Sequence, residues 1–93
     1  MIEVSGGRLQ VTGPMVIASA AALKTAGESA LSAGATVVDL SRVTDADSAA
    51  VAVLLAWVRS AQERNQAITI VHSPDSIRSL ATLYGVAELL PLA

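Results

Sequence analysis

The sequence predicts a single α/β domain spanning residues 1–93, with element order ββαβαβα and a mixed β-sheet on which helices pack. Three observations predict it. Alternating apolar and polar residues flank Gly6-Gly7, as in a hairpin; two β-rich runs follow, 36–40, which lacks that alternation, and 67–71; and stretches with apolar residues at helical spacing separate the strand candidates. Ninety-three residues suffice for one hydrophobic core.

Residues 1–4 and 8–12 are the first two strand candidates, and Gly-Gly supplies the positive φ of a tight turn between them. Gly13 and Pro14 are expected to stop the second strand, because proline cannot donate to a ladder. Residues 16–33 form an Ala-rich helix with Val16, Ala20, Leu23, Gly27, Ala30 and Leu31 near one face, closed by Gly34. Gly27 weakens that helix, by about 1 kcal/mol relative to alanine.

Residues 36–40, TVVDL, read as a central strand covered on both faces. Asp39 follows two valines, so its carboxylate sits at the strand end or takes donors from nearby backbone, a structural role. A loop over 41–46 then leads to a helix over 48–65. Asp47 is placed to accept a bond from a first-turn amide as its N-cap, and Ser48, next in line, is expected to be accessible. On a helical wheel Val51, Leu54, Leu55, Val58 and Gln62 form the core stripe. Ala49, Ala52, Val53, Ala56 and Trp57 fall on the other side, where charge would be normal. That smooth face beside Ser48, with Trp57 at its margin, is the expected contact surface; packing of Trp57 against a helix of the same domain is the alternative.

Residues 67–71 are the last strand candidate. Ser73 and Pro74 are expected to cap and open a third helix with Ile77, Leu80, Ala81 and Tyr84 on one stripe, ended by Gly85. The apolar tail, 86–93, either covers the sheet edge or docks a partner.

Composition narrows the function classes. Hydrophobic residues are 53% of the chain and aromatic ones 2%, so Ala, Val, Leu and Ile must build the core, with Trp57 and Tyr84 as its only large rings. The formal charge is −2, with no basic block, which argues against a nucleic-acid footprint or a polybasic membrane patch. The longest apolar run, 49–58, is well short of the ~18 residues of a spanning helix. The absence of Cys excludes disulfides and thiol chemistry and fits a reducing compartment. The first ten residues lack a basic start and a long apolar segment, so no signal peptide is expected and the cytoplasm is the expected location.

No catalytic residue is expected. His72 stands alone at a strand end, without metal-ligand spacing, and reads as a turn residue. Asp45 and Asp47 are the only close carboxylates, and they read as loop and cap residues. Ser5-Gly6-Gly7 lacks the lysine and following helix of a phosphate-binding loop. No cofactor and no metal are expected.

The segment VVDLSRVTDADSAAVAVLLAW resembles the signature region of STAS domains, the family of sulfate-transporter cytoplasmic domains and anti-sigma-factor antagonists. In that family a strand ending in Asp-Leu-Ser precedes a loop and then Asp-Ser at the start of a helix. Within it, the short length, DLSRV at 39–43, LLAW at 54–57 and LYGVAELLP at 83–91 are most similar to the MlaB-like subgroup, small STAS subunits of Mla-type phospholipid ABC transporters.

The resemblance implies a non-enzymatic subunit that binds the transporter's cytoplasmic ATPase, an MlaF-like protein in complex with permease and lipid-binding subunits. It would support assembly or activity, helping to maintain outer-membrane lipid asymmetry, and would be peripheral to the inner membrane through that complex. On matching positions it implies partner contacts at Asp47 and Ser48, with Ala49, Ala52 and Trp57 as neighbours. The alternative within the family is an anti-sigma-factor antagonist whose Ser48 is phosphorylated by an anti-sigma-factor kinase, adding about −1.5 to −2 charge to the contact. Ala50 stands where that subgroup usually has glycine, a departure that weakens the alternative.

Overall fold

A computed structural model describes all residues, 1–93. At Gly6 and Gly7 φ is 58° and 78°, and Ser5 pairs with Arg8, so the chain reverses in two residues, as a turn with two left-handed positions requires. The hairpin joins β1 (Ile2–Ser5) to β2 (Arg8–Met15). There follow α1 (Ile17–Ser32), β3 (Val37–Ala46), α2 (Ser48–Glu63), β4 (Thr69–Val71), α3 (Asp75–Leu83) and a single 3₁₀ turn, Ala87–Leu89. The sheet order is β1-β2-β3-β4, with β1 antiparallel to β2 and the other pairs parallel. Each parallel step is spanned by a helix, the connection such pairing demands.

The strands run further than the expected stops. β2 continues through Gly13 and Pro14 to Met15, and its ladder with β3 shifts register on both sides of Thr12-Gly13. The irregularity absorbs the proline's missing donor, and Gly13 supplies its φ of 97°. The added length of β2 gives residues 41–46 a partner, so the expected loop there is instead the second half of β3, with Arg42 opposite Thr12 and Ala46 opposite Met15. This half is polar because β4 ends at Val71, opposite Asp39, and leaves it without a neighbour on its other side.

Alternation decides which face is covered. Leu9, Val11, Val38, Leu40 and Ile70 lie on one face of the sheet, none of their surface exposed, and share a core with Leu23 and Leu31 of α1, Leu54 and Trp57 of α2, and Ile77 of α3. The opposite face carries Arg8, Gln10 and Asp39. β3 is central, as expected, but helices cover only one of its faces, and side chains alone shield Asp39 on the other.

Asp39 is 5% exposed, the only charged residue in the interior. Its carboxylate accepts bonds from the Ser41 N–H at 2.9 Å, from Arg8 at 2.9 Å and from Gln10 at 3.5 Å. Burial by itself would raise its pKa; the Ser41 backbone and side chain, Arg8 and the nearby His72 more than offset that, and the net shift is downward from 3.8. A depressed folded-state pKa stabilises the fold above the unfolded value, and that contribution disappears as pH falls through the folded one. Asp39→Asn is therefore expected to be less stable than wild type at pH 7, with the gap closing below the ordinary carboxylate range, as urea unfolding at a series of pH values would measure.

The C-terminal third settles four expectations. β4 starts at Thr69, later than residue 67. Pro74, extended with ψ of 152°, is the N-cap of α3, Asp75 is its first residue, and the expected cap Ser73 instead has its hydroxyl buried without a partner. The tail covers the edge of β4: the Ile70 N–H donates to the Pro91 carbonyl at 2.9 Å, the Ala93 N–H donates to that of Ile70 at 2.8 Å, and Leu90 is buried. Tyr84, expected on the core stripe of α3, caps its end and is half exposed. No helix is long and apolar enough to cross a membrane.

Candidate functional site

The site is assembled where β2 and β3 end side by side and deliver two helix starts to one place. Asp47 sits between them in extended conformation. One carboxylate oxygen accepts the Ala49 N–H at 2.8 Å, the cap of α2 anticipated from sequence; the other accepts the Ile17 N–H at 3.1 Å, from the first residue of α1. A single acid thus satisfies an unpaired amide at each of two helices, where the dipoles also favour its charge. Losing one N-cap costs about 1 kcal/mol. Because two amides lose their acceptor, Asp47→Ala is expected to cost roughly 2 kcal/mol in chemical unfolding, with Asp47→Asn intermediate.

Ser48 is the first residue of α2 and is exposed. From it an open groove of about 550 Å³ runs between α1 and α2. Ala20 and Ala21 form one wall, Ala52 and Ala56 the other, and Ala49, only 9% exposed, contributes at the Ser48 end. Ile17 projects at the mouth, 79% exposed, and Lys24 and Arg59 stand at the far end.

Of the expected contact residues, Asp47, Ser48, Ala49 and Ala52 are brought together here. Trp57 is not: it is 0% exposed, its indole lies over Gly27 of α1, and its Nε1–H donates to the Lys24 carbonyl at 3.2 Å. The place given to Trp57 at the margin of an exposed face is corrected by that packing. The core face of α2 widens with it: Val51, Leu54 and Val58 are buried as expected, Ala50, Val53, Trp57 and Ala61 join them, and Leu55 is half-buried and Gln62 exposed. The physical reason is that α2 packs on α1 as well as on the sheet, which a wheel drawn for one buried face does not represent. Gly27 was the available signal: a lone glycine in an Ala-rich helix, in a chain with one tryptophan to place.

The wall supplied by α1, with Ile17, Ala20 and Ala21, was also missed. Its residues read as a generic amphipathic helix until a second helix start lies beside them. His72 is exposed in the turn after β4, with φ of 55°. No three His, Cys, Asp or Glu side chains cluster closely enough to hold a metal ion.

A four-stranded mixed sheet with helices on one face, and an Asp-Ser pair where a strand hands over to a helix start beside an open groove, define a small α/β domain. The chain belongs to the STAS domain family: the family model described as "Mlab, STAS domain" matches residues 2–91. Among 23 matching chains of solved structures, SpoIIAA, an anti-sigma factor antagonist in its unphosphorylated form, superposes with a TM-score of 0.72 at 15% identity, over 100% of this chain and 86% of its own. An anti-sigma factor antagonist from Mycobacterium paratuberculosis gives 0.74 at 21% identity, over 99% of this chain and 81% of its own. A sulfate transporter family protein from Wolinella succinogenes gives 0.70 at 18% identity, over 97% of this chain and 79% of its own. At these identities the likeness is one of fold. No curated protein matches.

Proposed function

We propose that this domain binds the cytoplasmic ATPase of an Mla-type phospholipid ABC transporter, an MlaF-like subunit, through the α1–α2 groove that opens at Ser48. The observation that carries the reading is the match of the MlaB-described family model over residues 2–91. The open groove supports it, since its seven hydrophobic lining residues leave a contiguous apolar surface of the kind that another protein covers. Bound there, the domain supports the assembly or activity of a complex that also holds permease and lipid-binding subunits, and so helps to maintain outer-membrane lipid asymmetry. The domain itself is a binding module, without a catalytic role, and reaches the inner membrane from the cytoplasm through its partner.

A second reading is favoured by the exposed hydroxyl of Ser48 and by the anti-sigma factor antagonists among the structural neighbours. In it an anti-sigma-factor kinase phosphorylates Ser48, and the phosphate, beside Asp47 and over an apolar groove, releases the partner by repulsion and desolvation. Co-purification from the native cell with mass spectrometry separates the two. An ABC ATPase as the stoichiometric partner is expected; an anti-sigma-factor kinase in its place sinks the transporter reading.

A further inference from the structure

The groove has a direction. Just outside its Ser48 end lies the Asp47 carboxylate, engaged by two backbone amides, and its far end holds two cations. Ser48 and Arg59 are eleven residues apart on α2, so these ends lie roughly 16 Å apart at 1.5 Å per residue. Lys24 is 4.0 Å from Glu28, a loose pair four residues on, and Arg59 has no carboxylate within salt-bridge distance. Glu28 and Glu63 line an adjoining recess beyond Lys24 and Arg59, and neither lines the groove. Its apolar floor therefore leads to an unpaired Arg59 and a Lys24 held only loosely by Glu28, and the groove's own lining carries no acid.

The walls also constrain the backbone of whatever enters. Both are helices, whose amides and carbonyls are spent internally, so the groove has no ladder edge to offer. A strand-adding peptide therefore finds no ladder here, whereas a helix, its backbone already satisfied, can lay an apolar face into such a groove. The alanines let such a helix approach closely.

We propose that the groove receives a helix of the partner ATPase, about three turns long, with a small-residue apolar face and an Asp or Glu that Arg59 and Lys24 hold at the end away from Ser48. The inference rests on the ATPase reading and adds the chemistry of the partner's segment. Such a pair at the groove's rim contributes to encounter and orientation as well as affinity, and screens with salt.

The test titrates the purified Mla-type ATPase of the same genome into the domain at low and physiological salt. For the double variant Lys24→Glu and Arg59→Glu, affinity is expected to fall by roughly tenfold or more, and the salt dependence of binding to flatten or invert. Arg59→Lys keeps most of the affinity, and reversing one acidic residue of the ATPase to lysine restores binding to the double variant. Both positions are exposed, and the bond to Trp57 uses the Lys24 backbone, so the fold survives. Ala52→Arg in the groove wall is the control. If it abolishes binding while the charge reversals leave affinity and salt dependence unchanged, the acidic helix is overturned and the ATPase reading stands. If Ala52→Arg also binds as wild type, both fall.

Discussion

Ser48→Glu is expected to weaken ATPase binding about a hundredfold while leaving the domain as stable as wild type or slightly more so. The two effects separate because they have different origins. For the isolated domain, an acid at the first helical position faces the positive end of the α2 dipole, which is worth about 0.3–1 kcal/mol and offsets repulsion from Asp47. In the complex, the carboxylate enters an interface floored by alanine with no cation beside it. An uncompensated charge buried in this way costs about 3 kcal/mol or more, hence the hundredfold. Calorimetric titration reads the affinity and thermal unfolding the stability. A drop in both together would instead mean that Ser48 supports the fold.

The largest stability effects are expected at the contact between α1 and α2. Trp57→Ala removes the largest buried side chain, and such truncations cost about 3–5 kcal/mol, a large fraction of what holds a domain of this size together. Gly27→Ala carries the more discriminating sign. In a solvated helix that change stabilises by roughly 1 kcal/mol. Here a Cβ on Gly27 would occupy the space of the Trp57 indole, which is enclosed on all sides and anchored through its N–H, and cannot move aside. Gly27→Ala is therefore expected to destabilise by about 1–3 kcal/mol, as overpacked cores do, with urea unfolding as the measurement.

Much of this architecture is legible from residue types. Gly6-Gly7 marks the hairpin, β-branched runs mark β3 and β4, and Asp47 marks the start of α2, because each signal is local chemistry that tertiary structure does not override. The misreadings that bear on the site share one cause: they depend on a neighbour distant in the chain. Residues 41–46 look like a loop until β2 passes Pro14 and offers a ladder. Trp57 looks like the edge of an exposed face until Gly27 comes to lie beneath it. Asp47 is recognisable as one helix's cap, but its second bond, to Ile17, joins residues thirty apart and leaves no mark in the spacing.

The site followed the same division. The Ser48 end, with Ala49 and Ala52, is readable as a smooth patch on a single helix. The groove is not, because half of it belongs to α1, and the cations that give it direction come from both helices.

The central claim is that the partner covers this groove. Since the chain has no cysteine, a single thiol reports on one place at a time. Ala52→Cys puts it on the groove wall and Thr82→Cys on the exposed side of α3, both with little change in size. Rates of maleimide alkylation, measured with and without saturating ATPase, then locate the footprint. The account predicts at least roughly tenfold protection at position 52 and none at 82. Protection at 82, with position 52 reacting as fast as in the free domain, would contradict it.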